Sequence, residues 1–384
     1  MALSLALTSG CAPSARRPPA GAPTVVQAEA RIVTPTEVAT ESELADRAER
    51  ALMEQRWRDA AAAYGLLVDA DPNGPRAVAY RFNLGLALEG AEERARARDA
   101  YVEIARVAQD AAAATATATA ATATFVRRAL VRAATLDAYL EAWDALAQMG
   151  DALLAREDID VVDRLVGLGA RGLARIELGD DARASHDILD GLDLADGMHY
   201  GDRDVLPVAV AQLRFALGEV RRVRSERIQF DPLPPDFLDA LERRCAGLLD
   251  AQTAYAEAVR SVDPHWAAMA GYRVGAMYRA LHDDLMRIPA PETSRTDRQK
   301  QIFFAFMHVR YRVLLEKGLR ELEQTIALGE RANDDSEWIR RAQDAKREMQ
   351  ASLSAEDAAL ASMPFTKAEI QTALDLLQKR TRGR

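Results

Sequence analysis

Cysteine is nearly missing from this chain of 384 residues, which has only Cys11 and Cys245. So few thiols exclude a disulfide framework, and stability must come from a packed core. Aromatic residues are scarce at 6%, and β-branched runs are short, so pleated surfaces have little to pack with and almost no strand is expected. Positive charge is not in excess either: 50 Lys and Arg stand against 59 Asp and Glu, for a net charge of −9. That balance argues against a nucleic-acid binder, which needs a basic stripe to displace phosphate counterions. The densest basic cluster, Arg221, Arg222, Arg224 and Arg227, sits among Glu219 and Glu226 and reads as a solvated helix face. No run of about 20 apolar residues is present to cross a bilayer.

Chemistry-bearing patterns are equally thin. His186, His199, His265, His282 and His308 are scattered without the helix-face spacing of a metal motif. His282-Asp283-Asp284 lacks a third ligand nearby and reads as a polar surface patch. No glycine-rich phosphate loop, nucleophile elbow or Cys–His arrangement can be found. Gly167, Gly169 and Gly172 are better explained by a helix crossing, and Cys245 by a small core position on a helix. The expectation is a protein without catalytic residues, metal, cofactor or small-molecule substrate.

What the chain does have is alanine and leucine, which lose little rotamer freedom in a helix. It also has a recurring ruler. Ala48, Ala60 and Tyr64 are followed by Pro72; Gly85, Ala97 and Tyr101 repeat the spacing with Gln109 at the end; Gly172, Ala184 and Ile188 repeat it with Asp196. Asn83-Leu84-Gly85 and the turn at Leu178-Gly179-Asp180-Asp181 fall at matching places. These residues resemble the tetratricopeptide repeat. The resemblance implies an all-α, right-handed superhelical solenoid of helix-turn-helix repeats over 42–230, with one degenerate repeat at 111–150 that opens on an Ala/Thr run read as a loop or helix extension. A region of longer helices follows at 236–384, after the punctuation Asp231-Pro232-Leu233-Pro234-Pro235. Helices are expected there at 266–285, at 303–331 after an insertion over 286–302, and at 336–353, with a polar cap helix at 366–380.

The N-terminus reads as an address. Residues 1–10, MALSLALTSG, precede Cys11 and resemble the bacterial lipobox, with Thr8 where an aliphatic residue is usual and no Lys or Arg before the apolar run. The resemblance implies lipid attachment at Cys11 and an envelope lipoprotein facing the periplasm, on the outer rather than the inner membrane, with no membrane contact except the anchor. Residues 11–41, rich in Pro, Ala, Thr and Ser, read as a tether spanning roughly 30 Å. Over 206–349, the stretches HWAAMAGYRVGAMY, IALGERANDDSEW and IRRAQDAKREM resemble repeat lipoproteins of the myxobacterial envelope, including those of gliding machinery. The alternative is a cytosolic adaptor whose first residues carry no lipid.

In the repeat family the first helix of each pair lines the binding groove. By that resemblance Leu52, Phe82, Leu86, Leu173 and Ile176 face the groove, with Glu49, Glu89 and Glu177 among them. An amphipathic helix or apolar peptide bearing basic residues is the expected protein partner. The other reading, that the chain's own helices fill this groove, stays open.

Overall fold

Stretches rich in Ala, Leu, Glu and Arg alternate with short turns, and residues of that kind favour helix wherever one face can be buried. The computed structural model describes residues 40–115, 120–200, 205–261, 263–292, 294–334, 336–366 and 369. Among them thirteen helices follow one another. These are α1 (Glu41–Met53), α2 (Trp57–Ala70), α3 (Ala77–Gly90), α4 (Arg94–Thr115), α5 (Ala120–Tyr139), α6 (Trp143–Leu154) and α7 (Val161–Glu177). They continue as α8 (Asp181–Gly197), α9 (Val208–Glu226), α10 (Phe237–Ala258), α11 (Pro264–Met286), α12 (Asp297–Ala332) and α13 (Glu337–Ala361). No strand occurs among the described residues; an isolated bridge joins Leu206 to Ser261. Contacts divide the chain into Met1–Thr40 and Glu41–Arg384, and every helix belongs to the second unit. Cys11, the segment 1–10, nearly all of the tether and most of the expected cap helix lie outside the described residues.

Each helix packs on the next, and the first helices of successive pairs also pack on one another, α3 on α5, α5 on α7, α7 on α9, α9 on α11 and α11 on α13. The second helices do not pair in this way among the main contacts. The chain is therefore an all-α stack of helix pairs with the first helices as its inner row.

Two local devices repeat. After α1, α3, α5 and α7 the chain turns through a residue of positive φ, Gln55 at 57°, Glu92 at 63°, Glu141 at 56° and Gly179 at 89°. The following N–H then reaches back five residues, as from Arg56 to Ala51 O (2.8 Å), Glu93 to Leu88 O (2.9 Å), Ala142 to Asp137 O (2.9 Å) and Asp180 to Arg175 O (2.8 Å). These bonds satisfy carbonyls that the helix end would leave open. The second device is a small residue facing a large one where the helices of a pair cross. A Cβ at Gly85 would lie 2.5 Å from the Tyr101 ring, at Gly172 2.6 Å from Ile188, at Gly218 2.6 Å from Tyr255, and at Gly275 2.6 Å from Leu322. The last two pairs thus cross like the earlier ones across longer connections.

Several expected boundaries move. The Ala/Thr run enters the ends of α4 and α5, because Ala prolongs a helix that is already nucleated. The insertion is shorter than 286–302, since α12 starts at Asp297. Thr296 caps it, its Oγ1 accepting from the Gln299 N–H (3.2 Å) while its own N–H donates to Gln299 Oε1 (3.1 Å). This reciprocal pair is a capping box. Helix α13 runs on to Ala361. The prolines at 232, 234 and 235 break a loop and not a core: α9 and α10 on either side form one pair, and a single apolar cluster extends from Leu130 to Ile339.

Gly218→Ala is expected to lose a net ~1–2 kcal/mol, because crowding the buried Tyr255 ring outweighs the better helix propensity of Ala. Glu92→Gly, which relieves a left-handed residue, is expected to gain ~0.5–1 kcal/mol. Urea unfolding of both variants measures the pair of opposite signs.

Candidate functional site on the inner helix row

Helix α11 lies against the ends of three earlier inner helices. Its Trp266 is 5.3 Å from Phe215 of α9 and 5.9 Å from Tyr139 of α5, between ring centroids. Its Arg273 pairs with Glu219 of α9 at 2.9 Å and Glu177 of α7 at 3.4 Å. Trp338 of α13 closes the same region, 5.5 Å from Tyr272 and 4.4 Å from the Arg341 guanidinium. Arg341 in turn donates to both oxygens of Glu141 in the α5–α6 turn, at 2.8 and 3.1 Å. The inner face of the middle repeats is therefore filled by the chain itself.

This placement corrects the expected groove. Leu173 and Ile176 are 0% and 3% exposed and belong to the main core. Phe82 is 2% exposed, held between Tyr101 and Phe125 at 5.5 Å each and covered by Arg128. Glu177 is turned to Arg273, and Glu89 accepts from the Tyr101 hydroxyl (2.6 Å) and from Arg132 (2.9 Å). Leu52 and Leu86 are half-buried against the core of the first repeats, and Glu49 is exposed. The ruler picked residues that face inward. It could not tell an open inner face from a filled one.

Beneath α11 lies a buried ion network. Glu219, fully buried, accepts from Tyr255 Oη at 2.7 Å and from Arg222 Nε at 3.0 Å, and Arg222 Nη1 reaches Glu226 at 2.7 Å. Burial pushes Glu219 up, but the charges of Arg273 and Arg222 outweigh it and hold the carboxyl below its usual range. Glu177 goes the other way, to about 7, through burial and the neighbouring Glu219 charge. The solvated-face reading of the 221–227 cluster fails for Arg222, which sits inside this network; Arg224 and Arg227 instead bridge to Asp181 of α8. The network ties α7, α9, α10 and α11 into one arrangement.

A second cluster escaped sequence reasoning because three helices supply it. His282 Nε2 of α11 is 2.5 Å from Glu356 Oε1 of α13, His308 Nδ1 of α12 is 3.3 Å from the same oxygen, and Asp283 lies 3.3 Å from His282 Nδ1. Burial opposes charge on His282, but hydrogen bonds to Asp283 and Glu356 prevail and raise its pKa to about 9. Glu356 is correspondingly held down at about 2 despite burial. Asp284, read beside them from sequence, faces away to Arg244 and Arg287. No group of three potential metal ligands is assembled among the described residues. Cys245 is half-buried on α10, and burial pushes its thiol up.

An open groove remains on the inner row between α11 and α13. It encloses about 300 Å³ over Tyr272, Ala276, Ala280, Ala345 and Met349, with Arg279, Asp283, Arg341, Asp344 and Glu348 along its rims. A cleft between α10 and α12, over the Ala267–Gly271 stretch of α11, holds two smaller cavities of about 180 and 210 Å³.

Two charge effects are open to measurement. Since Glu177 is raised from 4.5 to about 7, it lowers stability as pH rises across that interval, and Glu177→Gln should flatten this fall in urea titrations between pH 5 and 8. Arg273→Met should cost ~3 kcal/mol at any of these pH values by removing one of the two guanidinium groups that hold the buried Glu219. His282 contributes stability fully below 6.5 and loses it as pH rises through about 9. Its Gln variant should therefore show no such loss in unfolding between pH 6.5 and 9.5.

No family model and no curated relative matches the chain. Among solved structures it is similar to a tetratricopeptide repeat protein from Parabacteroides merdae, at 12% identity and a TM-score of 0.39, covering 80% of this chain and 98% of that one. It is also similar to the TPR2AB domain of yeast Sti1 in its complex with pHSP90, at 13% identity and a TM-score of 0.20, covering 83% and 98%. The architecture rests on the helix contacts themselves.

Proposed function

We propose that the chain is a non-catalytic scaffold for protein–protein interaction, carried on a lipid anchor at Cys11 in a bacterial envelope. The observation that carries the scaffold reading is the stack of helix pairs with one groove of its inner row left open, between α11 and α13. An apolar floor with charged rims suits an amphipathic helix or extended peptide, whose apolar face the floor buries while the rim sets its register. The groove near Leu173 and Ile176 is no part of this proposal, since both side chains are buried in the core. Support for the anchor is the Thr8-Ser9-Gly10-Cys11 sequence followed by a Pro- and Ala-rich stretch. Membership of an envelope machine such as a gliding complex is the finest level of the reading, supported by the resemblance over 206–349.

Two measurements test the two halves separately. Metabolic labelling with a fatty acid is expected to mark the wild type and to fail on Cys11→Ala; an unlabelled wild type returns the chain to the adaptor reading. Photocrosslinking from position 344 on α13, at the rim of the groove, in native envelopes should trap a reproducible partner. Ala276→Arg with Ala345→Arg, which fills the groove, should cut that product at least about tenfold, the effect of ~1.4 kcal/mol. Undiminished crosslinking by the filled variant would remove the groove from the proposal.

A further inference from the structure

The α5–α6 turn meets the starts of α11 and α13 across large distances in sequence. The Tyr139 hydroxyl donates to Asp263 Oδ2, and Glu141 pairs with Arg341. At the centre of this seam is His265, 4% exposed, with neither ring nitrogen making a hydrogen bond; the adjacent Trp266 Nε1 is also buried and unpaired. The imidazole lies 4.0 Å from the Tyr139 ring at 31°, and edge-on to Trp266 (5.6 Å) and Trp338 (6.4 Å). Polar groups buried without partners disfavour a closed contact, and a charge added among rings disfavours it far more.

The ionisable groups around the ring do nothing to offset such a charge. Asp263 already accepts from Tyr139 and from the His265 backbone N–H (2.9 Å). Arg94 of α4 stands over the Tyr139 ring at 5.6 Å with the wrong sign. From the α5–α6 turn and α13, Glu141 and Arg341 neutralise each other, and Glu89 of α3 is engaged by Arg132.

We propose that His265 makes this seam an acid-released latch: with a neutral imidazole the third helix pair closes onto α11 and α13, and protonation of the ring opens it. Burial, with Arg94 adding to it, holds the ring pKa down at about 3 against 6.5 in the open chain. The sign follows: the closed state is favoured above 6.5, and its advantage declines as pH falls below that value. A second consequence rests on reading the α11–α13 groove as the binding face. Arg341 lines that groove, so release from Glu141 would change its rim. The latch itself does not depend on that reading.

Spin labels at Asp144→Cys and Gln343→Cys, both exposed positions, in a chain with Cys11 and Cys245 replaced by Ser, report the seam by pulsed electron resonance. One short distance is expected at pH 7.5. A longer population should grow below pH 6.5 by up to about tenfold per unit, reversibly and with helix content unchanged. His265→Phe should stay closed at pH 5. A wild type still closed at pH 5, a Phe variant that opens alike, or opening that coincides with loss of helix would each overturn the latch. In the wild type, ¹⁵N spectra of the His265 ring decide independently of any variant: titration well below 6.5 supports the proposal, and titration at 6.5 or above refutes it.

Discussion

Where the two helices of a pair cross, a small residue on the first faces a large one on the second, and every later step of packing inherits that spacing. Tyr101 fits only because position 85 lacks a Cβ, and Tyr255 only because position 218 does. The close approach lets the first helices reach the next pair as well as their own partner, so an inner row forms. Without it each pair would be an isolated hairpin with one face still in water, too small a core for independent stability. The long connections after α9 and α11 are tolerated because loop closure becomes costly only slowly with length, while the crossing itself is unchanged.

The inner row then closes on itself. Helix α11 crosses the ends of α5, α7 and α9 and seats Trp266 among Phe215 and Tyr139. Next to that apolar contact lie charged groups that face one another with little water. Such networks seldom add net stability over an apolar filling, yet removing one member is costly, so they favour one arrangement over its alternatives. Glu219 held by Arg222, Arg273 and Tyr255 disfavours a slipped α11, and the Glu141–Arg341 pair disfavours a splayed α13. Of the residues expected to meet a partner, Glu177 meets Arg273 of α11 and Phe82, Leu173 and Ile176 are buried in the stack, while the α11–α13 groove lies open on the row.

How much was legible follows from the range of each interaction. The ruler at Ala48, Gly85 and Gly172 was visible because its members are neighbours in sequence, sixteen residues from the small position to Tyr64, Tyr101 and Ile188. The same crossing at Gly218 falls outside the ruler, since its large partner Tyr255 lies across an inserted loop. The capping box at Thr296 and Gln299 is within local reach and marks the true start of α12, inside the insertion expected over 286–302. The His282, His308 and Glu356 cluster draws on three helices, and no window of sequence contains it.

By itself the sequence determined the helical class, the punctuation, and the pairing of neighbouring helices through the first repeats, because propensity, caps and local crossings act over a few turns of chain. It also carries the lipobox-like residues that precede Cys11, on which the helices have no bearing. Only tertiary structure decided which inward-facing residues remain reachable, which charges are buried, and that Tyr139 and Glu141 meet Asp263 and Arg341. Those outcomes depend on how successive pairs are inclined to one another, a sum of many small crossing angles that no single segment encodes.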